Sequence, residues 1–546
     1  MSKIDRRKLL KSGAAAASVP FVLPRIAIAQ ADNRPTITVA VQKVANSNTL
    51  EVLREQSNVG ARIFYSIYEG LIDQDYQGNL EMKPGVATSW RRIDDKTVEL
   101  KLRQGVKFHN GDTMTAEDVV YTFGPERMFG RGGAAEPGRT LFTQAGGGQG
   151  KEPPPEIAAV AKRCWPQLDR IEIVDKETVR FHNKTPDVTT EGRIARMVSE
   201  IISRRGYEEA GSWLEWAQKP IATGPYKVQE FKADRHLILA SHDEYWGGRP
   251  PIKELRFVEV PETASRINGL LSGQFDFACD IPPDQIATVE KNPRFEVQGG
   301  LIGNHRILCF DRQHPAMVDP RVRRAMTHAI DRQAIVETLW LGRTRVPAGL
   351  QWEYYGPMFV ADWKVPEYDP KLAQKLLKEA GYKGDPIPFR VLNNYYTNQV
   401  STAQIVTEMW KAVGLNVQIQ MRENWQQIFD KSTQRGVRDW SNSAPFNDPV
   451  SSLVNQHGPQ GQQQQIGEWT NAEFNTLSEQ LETSTDRERR KAVFKRMLEI
   501  AEREDPGYTL LHQNCTFTAK RKDIQWKAAQ AFQMDFRARN FQMPKA

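Results

Sequence analysis

The stretch KFHNGDTMTAEDVVYTF, residues 107–123, crowds His109, Asp112, Glu117 and Asp118 into ten positions, with Thr113 and Thr115 between them. An imidazole beside carboxylates can move protons or bind a metal. The same residues also spell local structure. Asn110-Gly111 is a tight-turn dipeptide. Thr115 followed three residues later by Asp118 has the form of a capping box, and Glu117 and Asp118 suit the positive end of a helix. Val119, Val120 and Phe123 then supply an apolar face. The expectation is a strand through VELKLRQGVKF, a turn and a helix, with His109 neither a catalyst nor a ligand.

Other recurrent chemistry is missing from the sequence. There is no G-x-S-x-G, no H-E-x-x-H and no dinucleotide fingerprint. The glycine run before Lys151 fails as a phosphate loop, because residue 145 is Ala and residue 152 is Glu. No catalytic residue, metal ligand or cofactor is expected, although a dispersed site has no motif to find.

The elements around these residues come from a chain of 546 residues, enough for several domains, with thirteen Trp and twenty-three Phe to fill cores. The first residues read as an export address. MSKIDRRKLLKSGAAAASVPFVLPRIAIAQ has a basic start, an apolar and Ala-rich middle, and a small-x-small end at Ala27-Ile28-Ala29. The pair Arg6-Arg7 gives it a twin-arginine character, with cleavage expected near Ala29/Gln30. Residues 1–29 hold six Lys/Arg and one Asp, so removing them lowers the formal charge from +7 to +2. The basic balance is thus a property of the leader, and no nucleic-acid surface is expected. The four cysteines form no C-x-x-C pair; Cys279–Cys309 is one candidate bridge, and burial as free thiols is the other reading.

Strands are expected at residues 36–41, 97–102, 178–181, 236–240 and 417–421, where branched and alternating apolar residues recur. In DPRVRRAMTHAIDRQAIVETL, Asp319 caps a helix, Pro320 opens it, and Val322, Ala325, Met326, Ala329 and Ile330 make one face. In YDPKLAQKLLKEAGY, Asp369, Pro370 and Gly381 play the same punctuating parts. The Gly/Pro-rich residues 130–156 and the Gln-rich residues 459–468 read as surface insertions.

Residues 68–123, YEGLIDQDYQGNLEMKPGVATSWRRIDDKTVELKLRQGVKFHNGDTMTAEDVVYTF, resemble the signature of extracellular solute-binding proteins of ABC importers. The type is family 5, which takes peptides, nickel and oligosaccharides. TGPYKVQEF (223–231), VRRAMTHAIDRQAIV (322–336), YDPKLAQKLLKEAGY (368–382), AQIVTEMWKAVGLNVQI (403–419) and RRKAVFKRMLEIAEREDPGYTLLH (489–512) follow in the family's order. The resemblance implies an α/β periplasmic-binding-protein fold: two hinged lobes joined by crossing strands, with an additional satellite domain. Lobe I would comprise residues 30–75, 221–300 and 508–546, the satellite 76–220, and lobe II 301–507.

The resemblance also locates a site. Peptide-binding relatives use an Arg for the peptide carboxylate and an Asp for its amine. The first falls near Asn394, and Ser443 stands where the second is expected, with Asp448 as a loosely aligned substitute. Trp440 matches. Asn394, Tyr396, Trp425, Trp440 and Asn442, together with Trp352 in LQWEYYGP and Asn46 and Asn48 after the first strand, are the expected ligand contacts. Aromatics and amides of this kind suit a polar solute with little charge: peptide-like, an oligosaccharide or a sugar–amino-acid conjugate. The function implied is capture of such a solute in the periplasm by a monomer. Delivery would be to permease subunits in the inner membrane, with a cytoplasmic ATPase behind them. The alternatives are an exported enzyme with a dispersed site, and a sensor or chaperone built on the same fold.

Overall fold

The computed structural model describes residues 32–129, 152–393 and 395–543. The leader residues Arg6, Arg7, Ala27 and Ala29, and Asn394 in the expected site, lie outside the described residues.

The protein is mixed α/β, organised around a ten-stranded sheet. Its two longest strands, Phe295–Phe310 and Tyr508–Arg521, lie side by side and antiparallel, pairing from Phe295↔Arg521 to Cys309↔Tyr508. On one flank of this pair the sheet continues through Val437–Ser443, Ile387–Leu392 and Val417–Arg422. On the other it continues through Phe277–Ala278, Thr36–Val41, Glu254–Glu259, His236–Ser241 and Tyr226–Lys232. The long pair therefore carries the sheet from one flank to the other. Its register slips between Leu301 and His305. Gly299, at φ 133°, is paired two residues before the slip; a Cβ there would stand 1.9 Å from the Thr516 carbonyl, so only glycine fits. The slip leaves Ile302-Gly303-Asn304 unpaired with Tyr508–Arg521, while Asn304 still pairs with Ser443 on the other side.

A separate antiparallel sheet joins Ala87–Asp94, Thr97–Leu102, Thr178–Asn183 and Leu168–Asp175. Val98, Leu100, Val179 and Phe181 point into one apolar cluster with Ile37, Val39 and Phe257 of the large sheet. Shared burial, worth roughly 25 cal/mol per Å² of apolar surface, ties the two sheets together.

The expected strands all form, and three run one or two residues longer at their C-terminal ends. The helix after Asp319 spans Pro320–His328, and the Asp319 carboxylate accepts from the Arg321 N–H at 2.8 Å. It stops where a second helix, Arg332–Trp340, begins with its own cap, Asp331 on Ala334 N–H at 3.0 Å. The apolar stripe runs across that break, and Val322, Ala325, Met326, Ala329 and Ile330 are all buried. Helix Pro370–Glu379 is capped by Asp369 and ends before Gly381 at φ 67°.

Of the two readings of the cysteines, burial as free thiols is the one observed: all four are buried and free, and Cys279 and Cys309 are not bridged. Cys279 instead sits 3.8 Å from the Met534 sulfur, and burial pushes its thiol up to about 11. The Gln-rich segment is not a surface insertion. Gln463 is fully buried, and its amide donates to the Gly507 carbonyl at 2.6 Å while its oxygen lies 2.6 Å from His457 Nδ1.

Candidate functional site

The residues around His109 are closed to chemistry. The imidazole Nδ1 accepts from the Ala222 N–H at 3.3 Å, so Nε2 carries the proton and donates to the Gly224 carbonyl at 3.1 Å. Burial and the neighbouring His242 hold its pKa down to about 3. The Asp118 carboxylate accepts from the Thr115 N–H and hydroxyl, both at 2.9 Å, and from the Arg204 N–H at 3.0 Å. Asn110 and Gly111 make the turn, with Gly111 at φ 90°.

The cavity that gathers the expected aromatic residues lies elsewhere and encloses about 1320 Å³ of non-atom space, open solvent at its mouth included. Tyr395, Tyr396, Trp425 and Trp440 supply its aromatic wall. Trp440 lies in strand Val437–Ser443, opposite Ile307 of the long strand, and Trp425 opens the short helix Trp425–Phe429, whose cap is Asn424. The two indoles meet edge to face, 4.7 Å apart, and Trp425 meets Tyr395 the same way at 4.9 Å. Such pairs prefer that geometry and fix each other's orientation.

A buried polar frame stands behind this wall. Gln399 Oε1 accepts from the backbone N–H groups of Tyr395 and Tyr396 at 2.9 and 3.1 Å, while its amide donates to Asp439 at 2.8 Å. Asp439 pairs with Arg306, whose guanidinium lies 3.5 Å from the centre of the Tyr396 ring. Arg438 pairs with Glu468 at 2.8 Å and sits 4.6 Å from the centre of the Trp440 ring. These cations face the aromatic rings and are neutralised by carboxylates, so they hold the wall without charging the cavity.

The amide side of the cavity comes from several segments. Asn304, in the irregular stretch of the long strand, donates to Ser441 and Ser443 hydroxyls at 3.2 and 2.7 Å. The N-terminus of helix Asn58–Ile67 presents Ser57 and Asn58, and no acid stands in its first turn. Its cap Ser57 accepts from the Gly60 N–H at 3.0 Å. Gln530 and Gln533 come from the C-terminal segment, and Arg163 and Arg196 complete the polar lining. Hydrogen bonds span the cavity walls: Asn58 to the Ser441 hydroxyl at 3.4 Å and Gln74 to the Pro445 carbonyl at 2.9 Å.

Of the expected contacts, the fold brings Tyr396, Trp425, Trp440 and Asn442 to this one cavity. Asn442 is committed in part to His457, at 3.3 Å. Asn46 stands behind the wall and donates to the Tyr395 hydroxyl at 3.3 Å. Asn48 is exposed and does not line the cavity. Trp352 does not line it either; its indole is buried and stacks on His305 at 4.0 Å. Asp448 is held away from it by Arg490, which donates to both carboxylate oxygens at 2.8 and 2.9 Å, while Asp448 also caps Val450. The sequence reading missed Asn304, Ser57, Asn58, Arg163 and Arg196. The N-cap pattern before helix Asn58–Ile67 was a visible signal for Ser57 alone.

Comparison with known proteins fits this arrangement. The family described as "Bacterial extracellular solute-binding proteins, family 5 Middle" matches residues 81–463. "Di/tripeptide-binding protein 2" of Pseudomonas aeruginosa is 27% identical over 480 residues, 82% of this chain and 84% of that protein. "Heme-binding protein A" of Haemophilus influenzae is 25% identical over 82% of this chain and 81% of that protein. Among solved structures, the periplasmic binding protein DppA from Helicobacter pylori in complex with a peptide has the same fold. It matches with a TM-score of 0.78 at 20% identity, over 94% of this chain and 99% of that one. With a family match across more than half its length, the chain belongs to the bacterial extracellular solute-binding proteins of family 5, and its role is to bind a solute.

Proposed function

We propose that the protein is the periplasmic receptor of an ABC importer, taking a small polar solute into the cavity walled by Tyr395, Tyr396, Trp425 and Trp440. The observation that carries this reading is the cavity itself. It joins a rigid aromatic wall to a ring of amides and hydroxyls, and its walls come from segments on both flanks of the long strand pair. Aromatic faces stack on flat or apolar parts of a solute, and amides both donate and accept. Capture between closing walls needs no covalent step, so the reading is capture without turnover.

Residues 30–75, 221–300 and 508–546 act as one lobe, 301–507 as the second and 76–220 as a satellite, with Phe295–Phe310 and Tyr508–Arg521 as the crossing hinge. Contacts from both lobes to the solute favour the closed state, and only that difference in affinity can shift the equilibrium. The closed, loaded shape is what permease subunits would recognise. Export through the leader at residues 1–29 places the monomer in the periplasm. The peptide-binding names among its relatives set the first probes.

Calorimetry against peptides, oligosaccharides and sugar–amino-acid conjugates tests the reading. Saturable one-to-one binding with the compound recovered unchanged is expected. Conversion of a bound compound would replace it with an exported enzyme.

A further inference from the structure

Fourteen arginines are buried among the described residues, and they divide by their partners. Ten pair with carboxylates; Arg193, for example, meets Asp187 at 2.9 Å and Glu482 at 3.0 Å, and Arg490 meets Asp448 at 2.8 Å. Arg266, Arg332 and Arg390 are wrapped by backbone carbonyls instead, as where Arg390 donates to Ile428 and Asp430 at 2.9 and 2.7 Å. Arg196 alone has neither. It is 8% exposed, lines the main cavity, and makes one long hydrogen bond, 3.5 Å to the neutral Asn455 side chain. Three residues earlier on the same turn of chain, Arg193 has two acids.

The backbone around Arg196 is set firmly. Val198, a branched residue, stands at φ 90°, a conformation that costs on the order of 1–3 kcal/mol. The Glu200 carboxylate holds the Val198 N–H at 2.7 Å, and the Ser199 hydroxyl donates to the Arg193 carbonyl at 2.7 Å. Glu200 is the acid on this segment. Burial pushes its pKa up to about 7, so it is a weak counter-charge, and it makes no ion pair with Arg196 among the described residues. A second cation lines the same cavity: Arg163 donates to Gln56 and likewise has no acid partner among the described residues. Among the described residues no Asp or Glu lines the cavity. Glu55, behind the cavity-lining Ser57, accepts from the Ser47 N–H and from the Ser47 and Ser57 hydroxyls. The acid-free N-terminus of helix Asn58–Ile67 adds a partial positive charge.

A buried guanidinium without a counter-ion is costly, and an arriving oxyanion removes that cost through charge-assisted hydrogen bonds. A free ammonium group, by contrast, would find two cations and no carboxylate. We propose that the solute is an organic acid without an ammonium group, its carboxylate taken by Arg196 with Arg163 beside it and its body against the aromatic wall. This narrows the solute reading above, on which it rests, from a polar compound of little charge to an anion.

Four forms of one peptide test it by calorimetry: Ala-Phe, N-acetyl-Ala-Phe, Ala-Phe-amide and N-acetyl-Ala-Phe-amide. N-acetyl-Ala-Phe is expected to bind at least tenfold tighter than the other three, and Arg196→Gln is expected to close the gap between acid and neutral amide to under threefold. Ala-Phe or either amide binding as tightly as the acid would overturn the anion inference and leave solute binding intact. Binding of none of the four would remove peptide-like solutes, and the unfolding temperature of the ligand-free protein then decides the charge argument. Arg196→Gln is expected to raise it by about 1–3 °C, because an uncompensated charge is lost. A fall in that temperature would show that Arg196 has a structural partner and would overturn the proposal.

Discussion

The turn at His109 and the cavity at Trp440 use similar residue types and leave them in opposite states. At the turn, both ring nitrogens of His109 and both oxygens of Asp118 are taken by protein partners. In the cavity, amides and hydroxyls face open space, and Arg196 is buried with one long contact. Grouping of reactive side chains in the sequence marks the first region; incomplete pairing in space marks the second. A solute site is built where the protein leaves polar groups for something else to satisfy, and then fixes the surrounding rings so that the gap persists.

If this contrast is right, damage to a saturated region should appear as instability, and damage to the cavity as lost affinity. The largest effect is expected from Asp448→Ala. It strands Arg490, whose side chain is 5% exposed, and breaking a buried pair this way costs about 3–5 kcal/mol. Denaturant unfolding should record that loss, while affinity for any solute that binds changes less than threefold. A large affinity loss at preserved stability would move Asp448 into the site. Trp440→Ala is the converse case: affinity falls at least tenfold, with the protein folded by circular dichroism. Unchanged affinity would remove Trp440 from the site.

A smaller effect sharpens the comparison through pH. Burial holds His109, His457 and His512 at about 3, below the usual 6.5 of a free imidazole. Their neutral forms are favoured by folding, so the stability they contribute is full above about pH 6.5 and is lost as pH falls toward 3. The unfolding temperature should therefore drop between pH 6.5 and 4, and His457→Gln should make that drop shallower. An unchanged slope would mean that His457 is not held neutral. The smallest effect is expected from a reductant: with four free thiols, the unfolding temperature should move by less than about 1 °C, against the several degrees a lost bridge would produce.

Much of the frame could be read from the chain. Alternation placed the strands, and Asp-Pro openings placed the helices, because both are local rules. The break between Pro320–His328 and Arg332–Trp340 escaped notice because the apolar stripe continues through it and the second cap, Asp331, looks like an ordinary polar position. Tyr396, Trp425, Trp440 and Asn442, from separate segments of the chain, line one cavity. Asn46, Trp352 and Asp448 lie near in sequence or alignment but spend their side chains on Tyr395, His305 and Arg490. Side-chain partners of that kind are set by tertiary packing. For the same reason Arg196 was invisible among seventy-four Lys and Arg residues. What distinguishes it is a missing partner, and that exists only in space.

The central claim is that the solute occupies the cavity between the aromatic wall and Arg196. A crystal structure of the protein with bound solute tests it most directly. The expected result is density stacked on Trp440 and Tyr396, with an acidic group within hydrogen-bonding distance of the Arg196 guanidinium. Ordered solute bound elsewhere, with this cavity holding only water, would contradict it.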